Sequence, residues 1–135
     1  MGRYLDVFRD RTLERTRNGP KLVYICAPLR GDVEKNIKFA SQKAQEVFQA
    51  GDIPVCPHLM FPPIADPENP QQDQAAREMG LRLVESCQQV NVYGPVRTPG
   101  MQAEIHHAKE LGISVKEEQP EMKKTKSRSK RGQAR

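Results

Sequence analysis

The sequence predicts an α/β protein built on a short parallel sheet with helices on both faces. Three observations lead there. Short apolar runs at 21–27, 53–56, 90–93 and 113–115 alternate with longer segments of helical periodicity. Glycine and proline punctuate the joints between them. The resulting order is strand, helix, strand, loop and helix, strand, helix, strand. That is the order of chained β-α-β units, whose crossovers are right-handed.

Lys21-Leu22-Val23-Tyr24-Ile25-Cys26-Ala27 follows Gly19-Pro20 and stops at Pro28, so it reads as a buried strand. Residues 32–50 read as a helix: Asp32 caps it, Ile37, Ala40, Ala44 and Val47 recur on one face with Phe48 beside them, and Gly51 ends it. Ile53-Pro54-Val55-Cys56 is a second strand. Proline lacks the N–H that an inner ladder needs, so this strand is expected at an edge. Residues 57–72 (PHLMFPPIADPENPQQ) are dense in proline and read as a long ordered loop, a type that often carries function. A second helix is expected over 72–88, with Ala76, Met79, Leu83, Val84 and Cys87 inward. Val90-Asn91-Val92-Tyr93 is the third strand, broken by Gly94-Pro95. Thr98-Pro99-Gly100 leads into a third helix over about 100–111, which Gly112 ends, and Ile113-Ser114-Val115 is the last strand.

A chain of 135 residues holds one domain of this kind. Its net charge of +5 is unevenly spread. Residues 122–135 hold seven Lys/Arg and no acid, residues 1–20 hold five Arg and three acids, and residues 21–121 hold ten basic and fourteen acidic side chains. The pI near 9.3 therefore describes the ends and says little about what the folded unit binds. The expected organisation is an N-terminal arm or helix over 1–20, a domain over 21–116 and a basic, disordered tail over 117–135. The three cysteines are an odd number, no apolar run reaches transmembrane length, and no secretory h-region is visible. The expectation is a cytoplasmic protein with free thiols and no membrane partner.

Ligands of open parallel sheets bind outside the carboxyl ends of the strands. That rule selects 26–31, 57–59, 93–100 and the residues after Val115. Helix N-termini point at the same edge and favour an anion there. Arg30, His58, Arg97 and Glu104 are therefore expected to converge. Glu104 shares a helical stripe with Met101, Ala108 and Leu111, which puts a carboxylate among core-type positions. Such a group is costly unless partnered or functional. The competing reading is a carboxylate that complements the helix dipole. His58 is a pocket residue or a strand-end cap, Arg30 a phosphate clamp set by Gly31 or a surface charge, and Asn36 a group at the same edge or a solvated one. His106, His107, Cys56 and His58 match no metal-ligand spacing, so no metal is expected. Neither a P-loop nor a G-x-G-x-x-G fingerprint follows the first strand, and no cofactor is expected.

Tyr24-Ile25-Cys26-Ala27-Pro28-Leu29-Arg30-Gly31, Pro57-His58-Leu59, and Gly100-Met101-Gln102-Ala103-Glu104-Ile105 with Ala108 and Gly112-Ile113 resemble the nucleoside 2-deoxyribosyltransferase superfamily. The aromatic-x-Cys strand running into an Arg-Gly turn is similar to that of the 2′-deoxynucleoside 5′-phosphate N-hydrolases. His58 to Pro62, followed by Glu78 to Leu81, resembles an uncharacterised group of small bacterial and phage proteins in that superfamily. The resemblance covers roughly residues 21–116. It implies a single flavodoxin-like or Rossmann-like domain that cleaves the N-glycosidic bond of a deoxynucleoside. It makes Glu104 the nucleophile at C1′, with the glycosyl-enzyme passed to another base or to water. It makes Arg30 a group that approaches a 5′-phosphate and His58 a pocket histidine. Tyr24, Cys26, Pro28, Asn36, Tyr93, Gly100 and Met101 complete the expected substrate-binding set. The aspartate that protonates the leaving base in the transferases has no fixed counterpart here. Glu78 and Asp73 are the nearest acids, and Glu78 is the expected second catalytic group. Gln88 or Gln89 stands where an acid is common, and Arg97-Thr98-Pro99 replaces the acids of the transferase loop.

The expected function is thus a nucleoside or nucleotide N-glycosidase, or a 2-deoxyribosyltransferase-like enzyme. Two alternatives stay open: a non-catalytic nucleotide-binding module of the same fold, and a nucleic-acid-associated protein acting through residues 122–135. The expected partners are a small nucleoside or nucleotide and a second copy of the chain.

Overall fold

The computed structural model describes residues 19–118. The expected N-terminal arm, up to residue 18, and the expected tail, from residue 119, lie outside the described residues. The elements are β1 (Leu22–Cys26), α1 (Val33–Gln49), β2 (Ile53–Val55), α2 (Pro57–Met60), α3 (Pro70–Glu85), β3 (Gln89–Val92), α4 (Pro99–Glu110) and β4 (Ser114–Glu117). All strand pairs are parallel and the order is β2-β1-β3-β4. This is a single α/β domain with the flavodoxin-like strand order.

β1 and β3 lie at the centre because their side chains suit burial on both sheet faces. Successive residues point to opposite faces. Val23 and Ile25 pack with Ala40, Ala44 and Val47 of α1. Tyr24 and Cys26 pack on the other face with Val84 of α3, Val90 and Val92 of β3, and Met101 and Ala108 of α4. Each fully buried aliphatic side chain stabilises the fold by about 1.5–3 kcal/mol. β2 carries Pro54 and lies at the edge, as proline requires. The thiols of Cys26, Cys56 and Cys87 are buried and free.

Local signals set the helix ends. The Asp32 side chain accepts from Lys35 N at 3.2 Å, and Gly51 follows α1 with φ +98°, a conformation a β-carbon disfavours. Several expected boundaries and faces are corrected. The proline-dense segment is not all loop, since Pro57 starts the single turn of α2. α3 runs over Pro70–Glu85, not 72–88. Its Met79 is 56% exposed, and Gly80 takes the inward position. Leu111 is 50% exposed at the end of α4, outside the core. Phe48 is likewise exposed. β4 ends at Glu117, past the expected domain boundary at 116, and Glu118 N still donates to Val92 O at 2.8 Å. Among the described residues no helix is long and apolar enough to cross a membrane.

Candidate active site

A cavity of about 310 Å³ opens at the carboxyl ends of β1 and β3. This is the point where strand order reverses, the usual ligand position in an open α/β sheet. The loop after β1, α2 with the turns behind it, α3 and the first turn of α4 form its walls. Leu29, Phe61, Pro62, Ala65 and Ala76 supply apolar surface.

Glu104 of α4 lines this cavity and is half-buried. Tyr24, fully buried at the centre of β1, donates its hydroxyl to Glu104 Oε2 at 2.7 Å. Burial pushes the Glu104 carboxyl above its ordinary range, and hydrogen bonds from Tyr24 and Cys26 partly oppose that. Burial and the neighbouring Glu104 push the Tyr24 phenol well up. The same two causes, burial first, push the Cys26 thiol up, so it is no ready thiolate nucleophile. Cys26 Sγ lies 3.8 Å from Met101 O, behind the cavity wall.

A second carboxylate, Asp73 of α3, is only 6% exposed and also lines the cavity. Arg30 Nη2 and Arg77 Nε both meet its Oδ2, at 2.6 Å and 3.2 Å. Asn36 Nδ2 donates to Leu29 O at 2.9 Å and to Arg30 O at 3.1 Å, which ties the β1–α1 loop to the first turn of α1 and steadies Arg30. His58 Nε2 donates to Pro28 O at 3.0 Å, which sets the tautomer. Its Nδ1 is buried without a hydrogen-bond partner among the described residues. Burial lowers the His58 pKa, so the ring is neutral near pH 7. Thr98 caps α4 at the cavity mouth, its Oγ1 accepting from Met101 N at 3.2 Å.

Of the expected site residues, Tyr24, Arg30, His58, Gly100, Met101 and Glu104 line the cavity. Pro28 and Asn36 stand behind it, acting through His58 and the Arg30 loop. Tyr93 is not at the site. It lies on the opposite sheet face, edge-on to Phe39, with its hydroxyl accepting from Asn91 Nδ2 at 2.9 Å. Glu78 is also outside the main cavity. It is exposed, accepts from Gln74 Nε2 at 3.2 Å, and lines an adjoining hollow of about 220 Å³ between α3 and α4 that shares Arg77, Gly100 and Glu104 with the main cavity. Arg97 does not converge either, since it donates to Gly94 O at 2.9 Å and pairs with Glu117 at 3.0 Å. His106 and His107 pair with Glu110 and Glu85 at 3.2 Å and 3.0 Å.

Sequence reasoning did not single out Arg77, Phe61 or Gly80. Arg77 was legible as the i+4 partner of Asp73. Gly80 was legible as a glycine inside a helix, which usually has a packing or functional reason. It lines the cavity, and a β-carbon there would lie 3.0 Å from Tyr24 Oη and 3.6 Å from Glu104 Oε2.

No curated protein matches the chain. A family profile described as a domain of unknown function (DUF7768) matches residues 21–118, which takes in every strand and helix that builds the cavity. The chain therefore belongs to the DUF7768 family.

Proposed function

We propose that this chain is a nucleoside or nucleotide N-glycosidase, or a 2-deoxyribosyltransferase-like enzyme, with Glu104 as nucleophile at C1′. One observation carries the reading: a half-buried carboxylate on a cavity wall, hydrogen-bonded by a buried phenol and without an ion pair among the described residues. A carboxylate neutralised by a cation is a poor nucleophile, whereas one oriented by a neutral donor keeps its lone pairs available. The Tyr24 bond also favours ionised Glu104, the form that attacks.

In this reading a Glu104 oxygen attacks C1′ and the C1′–N bond breaks. Its electron pair goes to the base, which takes up a proton. Water or a second base then attacks C1′, the ester C–O bond breaks, Glu104 regains its carboxylate and the incoming group loses a proton. Asp73 is the second carboxylate of the cavity, and because it is ion-paired with Arg30 and Arg77 the proton for the leaving base comes from solvent in this reading. Arg30 and Arg77 supply charge for a 5′-phosphate. Phe61 offers an aromatic face to a base. The cavity volume fits one small ligand of nucleotide size. Three buried free thiols suit the reducing cytoplasm.

The test is a panel of ribo- and deoxyribonucleosides and their 5′-monophosphates, assayed chromatographically for free base. At least one 2′-deoxy compound is expected to release base, and Glu104→Gln is expected to remove that release while still melting cooperatively. Full activity in Glu104→Gln overturns the mechanism. A ligand-induced rise in melting temperature with no base released supports the binding-module alternative.

A further inference from the structure

We infer that Gly80 is a positioning residue of this site: its missing side chain lets α3 close onto the Tyr24–Glu104 hydrogen bond without displacing it. The inference rests on Glu104 being the working carboxylate.

Gly80 is buried in the interior of α3 and lines the cavity beside both partners. A β-carbon there would lie 3.0 Å from Tyr24 Oη, so a neighbour must give by a few tenths of an ångström. The Tyr24 ring cannot swing aside. It is fully buried in the central strand and packed among Val84, Val90 and Met101. What remains is a small shift of the hydroxyl, a retreat of α3, or a movement of Glu104, which is only half-buried. A shift of the hydroxyl or of Glu104 lengthens or misaligns a bond now at 2.7 Å, whereas a retreat of α3 moves neither partner of that bond. The same β-carbon would lie 3.6 Å from Glu104 Oε2, in contact with the acceptor as well as the donor. Helix propensity alone favours alanine over glycine at such a position. A glycine that opposes the element it sits in has a packing or functional reason, and here the close neighbours are Tyr24 and Glu104.

The titratable and charged groups around Glu104 are Tyr24 and Cys26 from β1, Asp73, Arg77 and Glu78 from α3, and Arg30, His58 and Asp66 across the cavity. Of these, Tyr24 is the one that the substitution strikes.

The experiment compares wild type, Gly80→Ala, Tyr24→Phe and the double variant by thermal melting, carboxyl-carbon NMR titration of Glu104, and base release against pH. Gly80→Ala is expected to melt cooperatively while its Glu104 titrates at higher pH. The acid limb of the base-release profile moves up with it, and the rate falls by about tenfold, as for loss of one hydrogen bond to a charged group. Tyr24→Phe moves the titration and the rate in the same directions. The double variant is no worse than Tyr24→Phe alone, because without the hydroxyl the new methyl has nothing to strike. A Glu104 titration unmoved in Gly80→Ala, or losses that add in the double variant, overturns the inference. If Gly80→Ala does not fold, the double variant is expected to restore folding, and failure to do so also overturns it. A moved titration with no base release in any protein keeps the positioning role and sinks the glycosidase reading. Base release with an unmoved titration does the reverse.

Discussion

A carboxylate held among core residues costs stability at neutral pH, and the raised pKa of Glu104 expresses that cost. Because the folded state binds this proton more tightly than the unfolded chain, the contribution is fully favourable below the ordinary glutamate range. It is lost as pH rises through the raised value. Glu104→Gln keeps an acceptor for Tyr24 and removes the charge. It is therefore expected to melt above wild type at pH 7, by about 4–8 °C for each kcal/mol recovered, with the gap closing toward about pH 4. Melting both proteins across that range checks it, and a wild type that is the more stable at pH 7 would show that the Tyr24 and Cys26 hydrogen bonds fully offset desolvation. Glu104 was legible because it shares a stripe with Met101 and Ala108, both buried. Tyr93 was misread because it was chosen by its place at a strand end. Alternation along β3 puts it with Asn91 and away from Val90 and Val92, which face the cavity side. Glu78 was preferred to Asp73 because the inward face of α3 near its start is polar and apolar periodicity gives no phase there.

α3 contributes Asp73, Arg77 and Gly80, spaced i, i+4 and i+7, so one helix stripe forms a whole cavity wall. What holds that stripe in register is the start of the helix. Asn69 Oδ1 accepts from Gln71 N and Gln72 N, both at 3.0 Å, with Pro70 at the first helical position. Asn69→Ala orphans those two donors and is expected to cost about 1 kcal/mol, a fall in melting temperature of about 4–8 °C. Asn69→Asp keeps an acceptor and adds a negative charge at the positive end of the helix, so it is expected to melt near wild type. Scanning calorimetry of the two variants separates the cap from general sensitivity of the loop, since an equal loss in both would mean that the amide donates something essential. The Asn-Pro pair is an ordinary helix-start signal. It was hidden in the sequence by the proline density of residues 57–70, which reads as loop throughout. The other elements were legible in kind because their punctuation is unambiguous: Asp32 and Gly51 around α1, Thr98-Pro99 and Gly112 around α4, and Pro54 in an edge strand.

At the scale of the whole molecule, the described elements and the excess of positive charge fall in different parts of the sequence. β4 ends at Glu117, so every described strand and helix lies before residue 122, yet residues 122–135 carry seven Lys/Arg. Within the folded part, Arg30 and Arg77 are both drawn onto Asp73 at the cavity, and Arg97 is paired with Glu117. By sequence, residues 21–121 are mildly acidic and residues 122–135 are a block of cationic charge. Deleting 122–135 changes the formal net charge from +5 to −2. It is expected to leave the melting temperature and the Glu104 titration unchanged. Binding to polyanions behaves differently, because it is driven by counterion release and scales with the number of cations engaged. The full chain is expected to be retained on a heparin matrix at low salt and eluted by moderate salt, and the truncated chain to pass through. Retention of the truncated chain would move polyanion binding to the folded unit. Arg30 and Arg77 would then be the first substitutions to make, because they are the arginines that line the cavity.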